Sequence, residues 1–324
     1  MPLFTLDELA AAEAIVRTLV PPTPAYAWPL LGRKVGAEVV VKHENHTPTG
    51  SFKARGALVY VDALRRAGVK PKGLVTATRG NHGQSVALAA TRNGIPCVIV
   101  IPEGNSREKN AAMEAFGGQL VTAGKDFDES RAIAMQMERE RGYHFFPSFH
   151  RELVKGVAIY ALELFTAFAD LDAVYVPIGM GSGICATITV RDLLGLKTEI
   201  IGVVADNAPA FALSFEAGHP VQTNAAATFA DGVATRDPPA EALDIIRKGA
   251  SRVVRVSEDE IAAAIRLYYT TTHNLAEGAG AAPLAALMQE KDRYAGKRVA
   301  LVLTGGNIDM PLLAKILQGE TPTV

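Results

Sequence analysis

The strongest constraint on the fold is an alternation of short apolar strands and helical segments along most of the chain. GLVTAT at 73–78, CVIVIP at 97–102 and AVYVPIG at 173–179 are rich in β-branched residues and apolar nearly throughout. Segments of about ten residues or more with helical spacing separate such strands. This pattern is typical of parallel sheets whose two faces are covered by crossover helices. The sequence therefore predicts an α/β fold of mostly parallel, open sheets covered by helices.

The grouping of the strands predicts two lobes. One group follows in close succession from position 73 to position 146. Other predicted strands lie before and after this group, at 38–44, 173–179, 199–205, 252–256 and 298–306. We therefore predict a small domain over 71–146, and a large domain built from 1–70 and 147–324.

Charge and composition give no reason to expect nucleic acid or a membrane as a partner. The chain has 33 basic and 34 acidic residues and a formal net charge of −1. The N-terminus, MPLFTLDELAAAE, lacks a basic region followed by an apolar run, so we expect no signal peptide. Because no apolar stretch reaches about 18 residues, no spanning helix is expected. A cytoplasmic location follows as the expectation.

The segment HENHTPTGSFKARG at 43–56 places Lys53 where a turn leads into a predicted helix. A lysine at such a junction can direct its amine into a cleft, where desolvation lowers its pKa and makes it a nucleophile toward aldehydes. A lone lysine is more often solvated on a helix face, so this assignment depends on three later stretches. His43 and His46 resemble a short metal pair, but no third ligand stands nearby in sequence, and we predict both to be turn residues.

The second stretch is TRGNHGQS at 78–85, directly after a predicted strand. Gly80 and Gly83 permit a tight turn and close approach of a ligand. Polar side chains lie in this stretch, and the helix predicted from Gly83 to Arg92 offers free backbone N–H groups. The stretch is suited to hold a carboxylate, although a capped strand-to-helix turn explains it equally well by itself.

The third and fourth stretches also follow predicted strands. GMGSG at 179–183 has three glycines in five residues, which lets successive N–H groups converge on one anion such as a phosphate. LTGGN at 303–307 places the hydroxyl of Thr304 at the carboxyl end of a strand, where parallel sheets collect ligands. A nucleophilic lysine, a phosphate nest, a carboxylate cradle and a neutral hydroxyl together suit one cofactor, pyridoxal 5′-phosphate.

With these motifs, the chain resembles the fold-type II pyridoxal-phosphate enzymes, in the branch of threonine/serine dehydratases and serine racemase. The resemblance rests on S-F-K-x-R-G at 51–56, G-N-H-G-Q at 80–84, the glycine loop and T-G-G-N at 304–307. These motifs stand in the family's order and cover nearly the whole chain. The resemblance implies a cofactor between the two lobes and a mobile small lobe that closes to exclude water.

The resemblance also implies roles for individual residues. Lys53 would bond to the cofactor aldehyde and later take the Cα proton, Phe52 would pack beside the ring, and Asn81 would bond its phenolic oxygen. Thr304 would face the ring nitrogen, and Glu277 corresponds to a family glutamate near the cofactor. The cofactor phosphate would be held by Gly179, Met180, Gly181, Ser182 and Gly183. The substrate would lie against Thr78, Arg79, Gly80, Asn81, His82 and Gln84.

The activity implied by the resemblance is that of an ammonia-lyase, which converts L-threonine or L-serine to a 2-oxo acid and ammonia. Racemases of this branch carry a serine as second base where this chain has Arg79, and an arginine is a poor base. Racemisation is therefore a disfavoured alternative, as is a cofactor-binding protein without turnover. Arg79 could instead grip an anionic or bulky group, which leaves 3-hydroxyaspartate or a β-aryl serine open as the substrate. It could also turn outward from the loop.

Two further expectations come from differences to relatives. Those relatives that bind a structural divalent cation use a Glu and an Asp, whereas this chain has Val204 and Ala210 there, so we predict no metal. The chain ends at Val324 without the C-terminal regulatory domain of biosynthetic threonine dehydratases, so we expect no feedback through such a domain. The resemblance also leads us to expect a homodimer.

Overall fold

A computed structural model describes residues 2–323, which form two sheets with helices on their faces. The strands are β1 (Ala25–Ala27), β2 (Glu38–His43), β3 (Leu74–Ala77), β4 (Cys97–Ile101), β5 (Gln119–Thr122), β6 (His144–Phe145), β7 (Ala173–Pro177), β8 (Glu199–Ala205), β9 (Arg252–Val256) and β10 (Arg298–Leu303). The helices are α1 (Leu6–Val16), α2 (Pro29–Val35), α3 (Lys53–Arg66), α4 (Asn81–Arg92), α5 (Arg107–Ala115), α6 (Phe127–Arg141), α7 (Arg151–Ala167), α8 (Ser182–Leu193), α9 (Ala210–Ala217), α10 (Ala240–Gly249), α11 (Glu258–Thr272), α12 (Gly278–Gln289) and α13 (Met310–Leu317).

The larger sheet has the strand order β1-β2-β10-β7-β8-β9, and the smaller sheet has the order β5-β4-β3-β6. All pairs are parallel except β1 with β2. The predicted α/β fold of mostly parallel sheets is thus confirmed. The domain boundaries near positions 70 and 147, and the mobility of the small domain, stay predictions.

Alternate residues of the central strands pack on opposite faces of the larger sheet. Val40 belongs to one core cluster, whereas its neighbours Val39 and Val41 belong to another. In β10, Val302 likewise packs on the first face and Leu301 on the second. Because helices cover both faces, every position of β2 and β10 after the first residue is buried, which explains their continuous apolar runs.

Two short elements near the N-terminus, β1 and α2, were not predicted. β1 is only three residues long and pairs antiparallel with β2 at the sheet edge, so it is too short to show a strand pattern. α2 begins with Pro29 and is followed by its C-cap residue Gly36, which has a φ of 83°. A proline in the first turn and a left-handed glycine after the last are normal helix boundaries, but α2 has only seven residues, too few to show a helical period.

Two other predictions need correction. α4 begins at Asn81 and not at Gly83, because Asn81 and His82 form its first turn beside the N-cap Gly80. His43 is the last residue of β2 and not a turn residue. Its buried ring accepts a 3.0 Å hydrogen bond from the indole of Trp28 and stacks on His46.

The strand order brings the predicted loops to one edge of the larger sheet. β2 and β10 are parallel neighbours, with His43 opposite Leu303 in register. Just beyond these residues, Ser51 forms an isolated bridge with Gly305. β7 lies on the other side of β10, so the glycine loop after it opens onto the same edge. Between residues 2 and 323, no helix combines the length and apolar character needed to cross a membrane.

Candidate active site

A cavity of about 460 Å³ lies between the loops of the two sheets. The larger sheet contributes Lys53, the loop at 179–183, Glu277 and Thr304 to its walls. The smaller sheet contributes the turn after β3 and the start of α6. The four stretches singled out from the sequence therefore line one space.

Lys53 is the first residue of α3, and backbone contacts fix its position. The N–H of Phe52 donates a 3.1 Å hydrogen bond to the carbonyl of Thr304. Two residues further, the buried guanidinium of Arg55 bonds Glu44 at 2.7 Å and Glu163 at 2.8 Å. The beginning of α3 is thus attached both to β10 and to a buried charge cluster.

The amine of Lys53 is held in a desolvated position. Its nitrogen lies 4.6 Å from the centroid of the Phe52 ring. Burial lowers the pKa of Lys53 to about 8, although the charge of Glu277 acts in the opposite direction. The free amine of this lysine is therefore far more populated near neutral pH than that of an ordinary lysine.

The loop at 179–183 depends on its glycines. A Cβ on Gly179 would lie 2.2 Å from the carbonyl oxygen of Gly232. Gly181 has a φ of 95°, in the left-handed region that favours glycine. Ser182 begins α8, whose first backbone N–H groups have no partner within the helix. Because these groups border the cavity, an anion can bind there.

Thr304 and Glu277 form the wall next to Lys53. Thr304 follows the last residue of β10 and is buried. Glu277 is the N-cap residue of α12, and its backbone N–H donates a 3.1 Å hydrogen bond to the Gly305 carbonyl. Burial raises the pKa of Glu277 to about 7, while the charge of Lys109 lowers it. Oε2 of Glu277 is buried and has no hydrogen-bond partner within residues 2–323.

The turn after β3 faces these residues from the smaller sheet. The hydroxyl of Thr78 accepts a 3.0 Å hydrogen bond from the N–H of Gly80. Nδ2 of Asn81 donates a 2.7 Å hydrogen bond to Oε1 of Glu277, and its Oδ1 accepts one of 2.8 Å from Asn307. The amide of Asn81 therefore has a fixed orientation at the cavity wall.

His82 also lines the cavity, as a neutral imidazole. Burial, and next the charge of Lys53, lower the pKa of His82 to about 3. Its Nε2 has no hydrogen-bond partner within the described part of the chain.

Arg79 and Gln84 differ in their relation to the cavity. Arg79 is exposed and lines the cavity beside the start of α6. Gln84 is buried within α4 and does not line it. The geometry thus gives the predicted substrate contact of Gln84 no support.

Several residues of the site escaped the sequence analysis. Asn307 belongs to the noted T-G-G-N motif, but its contact with Asn81 joins residues 226 positions apart and was not predicted. Lys109 and Asp231 form an ion pair beside Glu277. Arg236 forms a 2.7 Å ion pair with Asp128, and both residues line the cavity. No local sequence pattern marked Lys109, Asp231, Arg236 or Asp128 as part of a site.

The positions compared with the cation ligands of relatives are apolar. Val204 is buried in β8, and Ala208 and Ala210 are buried just beyond it. Over residues 2–323, no group of three or more His, Cys, Asp or Glu side chains is arranged to hold a metal ion. The predicted absence of a cation stays a prediction.

The residues present fit pyridoxal phosphate. The cofactor requires a reactive lysine, an anion site for its phosphate and a polar group for its ring nitrogen. Lys53, the glycine loop and Thr304 supply these three elements around one cavity. Oε2 of Glu277 and Nε2 of His82 are further buried polar atoms of the residues that line it, and neither has a hydrogen-bond partner among residues 2–323.

The similarity to known proteins shows which enzyme family this chain belongs to. Residues 16–305 match the family described as pyridoxal-phosphate dependent enzyme, and the chain belongs to this family. The predicted fold type II and the predicted cofactor are thereby confirmed.

Particular relatives carry named activities. L-threonine ammonia-lyase of Geobacter sulfurreducens is 37% identical over 286 residues, which are 88% of this chain and 71% of the relative. L-threo-3-hydroxyaspartate ammonia-lyase of Saccharomyces cerevisiae is 28% identical over 323 residues, 99% of both chains. The processed form of threonine deaminase isoform 2 from Solanum lycopersicum superposes with a TM-score of 0.88 at 30% identity, covering 98% of this chain and 95% of that one.

Proposed function

We propose that this chain is a pyridoxal-phosphate-dependent ammonia-lyase that converts a β-hydroxy amino acid to a 2-oxo acid and ammonia. L-threonine and L-serine are the first candidate substrates. The observation that carries the proposal is the desolvated amine of Lys53 on the wall of a cavity shared with the glycine loop and Thr304. The activities named for the relatives support the same reaction.

The cofactor would be held by residues of the larger sheet. Lys53 would carry its aldehyde carbon, and the N–H groups of Gly179, Met180, Gly181, Ser182 and Gly183 would bind its phosphate. Phe52 would pack beside the ring, with Asn81 and Glu277 near its phenolic oxygen. When bound, pyridoxal phosphate supplies an aldehyde that attaches the substrate amine and a ring that accepts the electron pair left at Cα.

The chain itself supplies a base and a binding site. With a pKa of about 8, Nζ of Lys53 can take the Cα proton near neutral pH. The hydroxyl of Thr304 would accept or donate a hydrogen bond at the ring nitrogen without imposing a proton there, as a carboxylate would. In the overall reaction the β-hydroxyl leaves as water, one water is taken up and the amino group leaves as ammonia, so the atoms balance.

The substrate carboxylate would lie against the turn after β3. Thr78, Gly80, Asn81 and His82 line the cavity there, and the first turn of α4 offers free N–H groups. In the same proposal, residues 71–146 form a small domain that closes over the substrate and excludes water. We further propose a homodimer and a cytoplasmic location, which are supported by the resemblance and the composition respectively.

Arg79 favours a second candidate substrate. Its exposed guanidinium lines the cavity on the substrate loop and could pair with an additional carboxylate, as in 3-hydroxyaspartate. A relative that spans almost the same length is named for that substrate. A racemase would need a second base at this position, which an arginine does not provide.

A substrate panel tests these proposals. The purified, cofactor-loaded protein should release 2-oxo acid and ammonia in equal amounts from at least one of L-threonine, L-serine, L-threo-3-hydroxyaspartate and a β-aryl serine. Chiral analysis of the remaining amino acid detects racemisation. Racemisation without release of 2-oxo acid would replace the lyase with a racemase, and no change in any substrate would leave a cofactor-binding protein.

A further inference from the structure

Lys109 is a buried cation that reaches from one sheet unit to the other. It lies in α5, which packs with the smaller sheet, and only 8% of its surface is exposed. Its ammonium pairs with the carboxylate of Asp231, which begins a short 3-10 helix packed against α12. A buried lysine is uncommon unless it is paired, and the ion pair with Asp231 explains how this ammonium can be buried.

The aliphatic part of Lys109 supports the substrate loop. A Cβ on Gly80 would lie 2.6 Å from Cδ of Lys109, so the lysine stem passes directly under this glycine. Gly80 is the N-cap residue of α4 and precedes Asn81, the residue that bonds Glu277. The side chain of Lys109 thus contacts the substrate loop at Gly80 and reaches Asp231 on the opposite wall of the cavity.

The charges around Glu277 come from three elements. Lys53 of α3, Lys109 of α5 and Asp231 of the 3-10 helix act on its carboxyl, and Asn81 of α4 bonds it. Asp309 is a further carboxylate that acts on Lys109. Burial disfavours the charge on Lys109, but Asp231 and Glu277 outweigh it and raise the pKa of Lys109. The lysine is therefore a permanent cation beside Glu277.

We propose that Lys109 and Asp231 are a positioning pair, which holds the substrate loop against Glu277 and sets the balance of charge that the Glu277 carboxyl meets. The inference rests on the proposed function, since it concerns the charge that Glu277 carries beside the cofactor. Neither residue of the pair would touch the reacting atoms. Their influence passes through Gly80 and Asn81 on one side and Glu277 on the other.

Two substitutions distinguish an electrostatic role from a merely structural one. Lys109→Met and Asp231→Asn break the same ion pair, so loss of structure would affect both alike. Loss of the Lys109 charge should raise the pKa of Glu277, whereas loss of the Asp231 charge should lower it. We expect shifts of about one pH unit in opposite directions. Lys109→Arg keeps the positive charge, so the pKa of Glu277 should remain close to that of the unsubstituted protein.

The measurement is an infrared pH titration of the purified full chain before substrate is added. The band of the protonated Glu277 carboxyl is identified by its loss in Glu277→Gln. Glu108→Gln is the matched control, because Glu108 contacts the N–H of Met310 at 3.0 Å from the same helix and is exposed. The pH profile of kcat/KM should move in the same direction as the band in each variant.

Shifts of opposite sign support the positioning pair. The proposal would be overturned if the pKa of Glu277 shifted in the same direction in Lys109→Met and Asp231→Asn, or in neither. A shift of the Glu277 band of equal size in Glu108→Gln would also overturn it. Because the infrared titration needs no turnover, it gives an answer even if no 2-oxo acid is released. Failure of the ammonia-lyase proposal is thus separate from failure of this one.

Discussion

Nδ2 of Asn81 donates a 2.7 Å hydrogen bond to Oε1 of Glu277, which joins the turn after β3 to the start of α12. This contact connects the two sheets at the wall of the cavity. It also stabilises the ionised form of a carboxyl whose burial favours the neutral form. The protonation of Glu277 should therefore affect both the stability of the protein and the reaction.

Glu277→Gln should remove a pH-dependent loss of stability. The pKa of Glu277 is about 7 in the folded protein against 4.5 ordinarily, so its favourable contribution is complete below about pH 4.5 and lost as the pH rises to about 7. The variant keeps an acceptor for Asn81 and avoids this loss. Its free energy of unfolding relative to the unsubstituted protein should increase between those pH values, by on the order of 2 kcal/mol.

Urea unfolding of the cofactor-free protein at a series of pH values measures this difference. Glu320→Gln, which alters an exposed carboxylate near the C-terminus, is the control and should show no comparable trend. A difference between Glu277→Gln and the unsubstituted protein that does not vary with pH would show that Glu277 does not titrate in this range.

Lys53→Met should stabilise the cofactor-free protein most at low pH. The pKa of Lys53 falls from 10.5 to about 8, so the unfolded chain binds the extra proton between these values. The free energy of unfolding therefore rises as the pH increases from about 8 to 10.5. The destabilisation caused by Lys53 is greatest below about pH 8. We expect a gain of at most about 3 kcal/mol at neutral pH that decreases toward pH 10.5. Thermal and urea unfolding at both ends of the window measure it, and an equal gain throughout would contradict the lowered pKa.

Gly181→Ala should weaken cofactor binding, whereas Gly195→Ala should not. Both glycines have positive φ values, 95° and 65°, so alanine strains the backbone at either position. A Cβ on Gly181 would also lie 2.9 Å from that of Ala242 and disturb the proposed phosphate loop, while nothing lies within 4 Å at Gly195. Titration with pyridoxal phosphate should show at least about tenfold weaker binding for Gly181→Ala alone. Equal affinities for the two variants would remove the loop from the phosphate site.

Arg79→Ser should change substrate preference. If the guanidinium pairs with a second carboxylate, its loss should reduce kcat/KM for 3-hydroxyaspartate by about tenfold or more relative to threonine. The serine hydroxyl also tests whether this position admits some racemisation. Arg79→Lys keeps a cation without the planar fork and is the matched variant. If substrate preference and stereochemistry are both unchanged in Arg79→Ser, Arg79 is an outward-facing loop residue.

The parts of the site that could be predicted are those with a local pattern. The chain reaches Lys53, Asn81, the loop at 179–183 and Thr304 soon after it leaves a strand, and parallel strands bring such segments to one edge of their sheet. Their position directly after a predicted strand can be read from the sequence. The central strands could likewise be predicted, because burial on both faces requires an apolar side chain at nearly every position.

What could not be predicted depends on contacts between distant positions. Lys109 lies 122 residues from Asp231, and the hydrogen bond of Asn81 spans 196 residues to Glu277. Gln84, which belongs to the same motif as Asn81, turned out to be buried within α4 because helical geometry rotates it away from the cavity. A side chain's direction on a helix is fixed by where that helix begins, and α4 begins two residues earlier than predicted.

The measurement that tests the central claim most directly is identification of the residue that carries the cofactor. The protein is loaded with pyridoxal phosphate, reduced with borohydride, digested and analysed by mass spectrometry, with Lys53→Ala treated in parallel. We expect the reduced cofactor on the peptide that contains Lys53 and on no peptide of the variant. Cofactor attached to a different lysine, or specific labelling that persists in Lys53→Ala, would contradict the assignment of Lys53 and the reaction proposed from it.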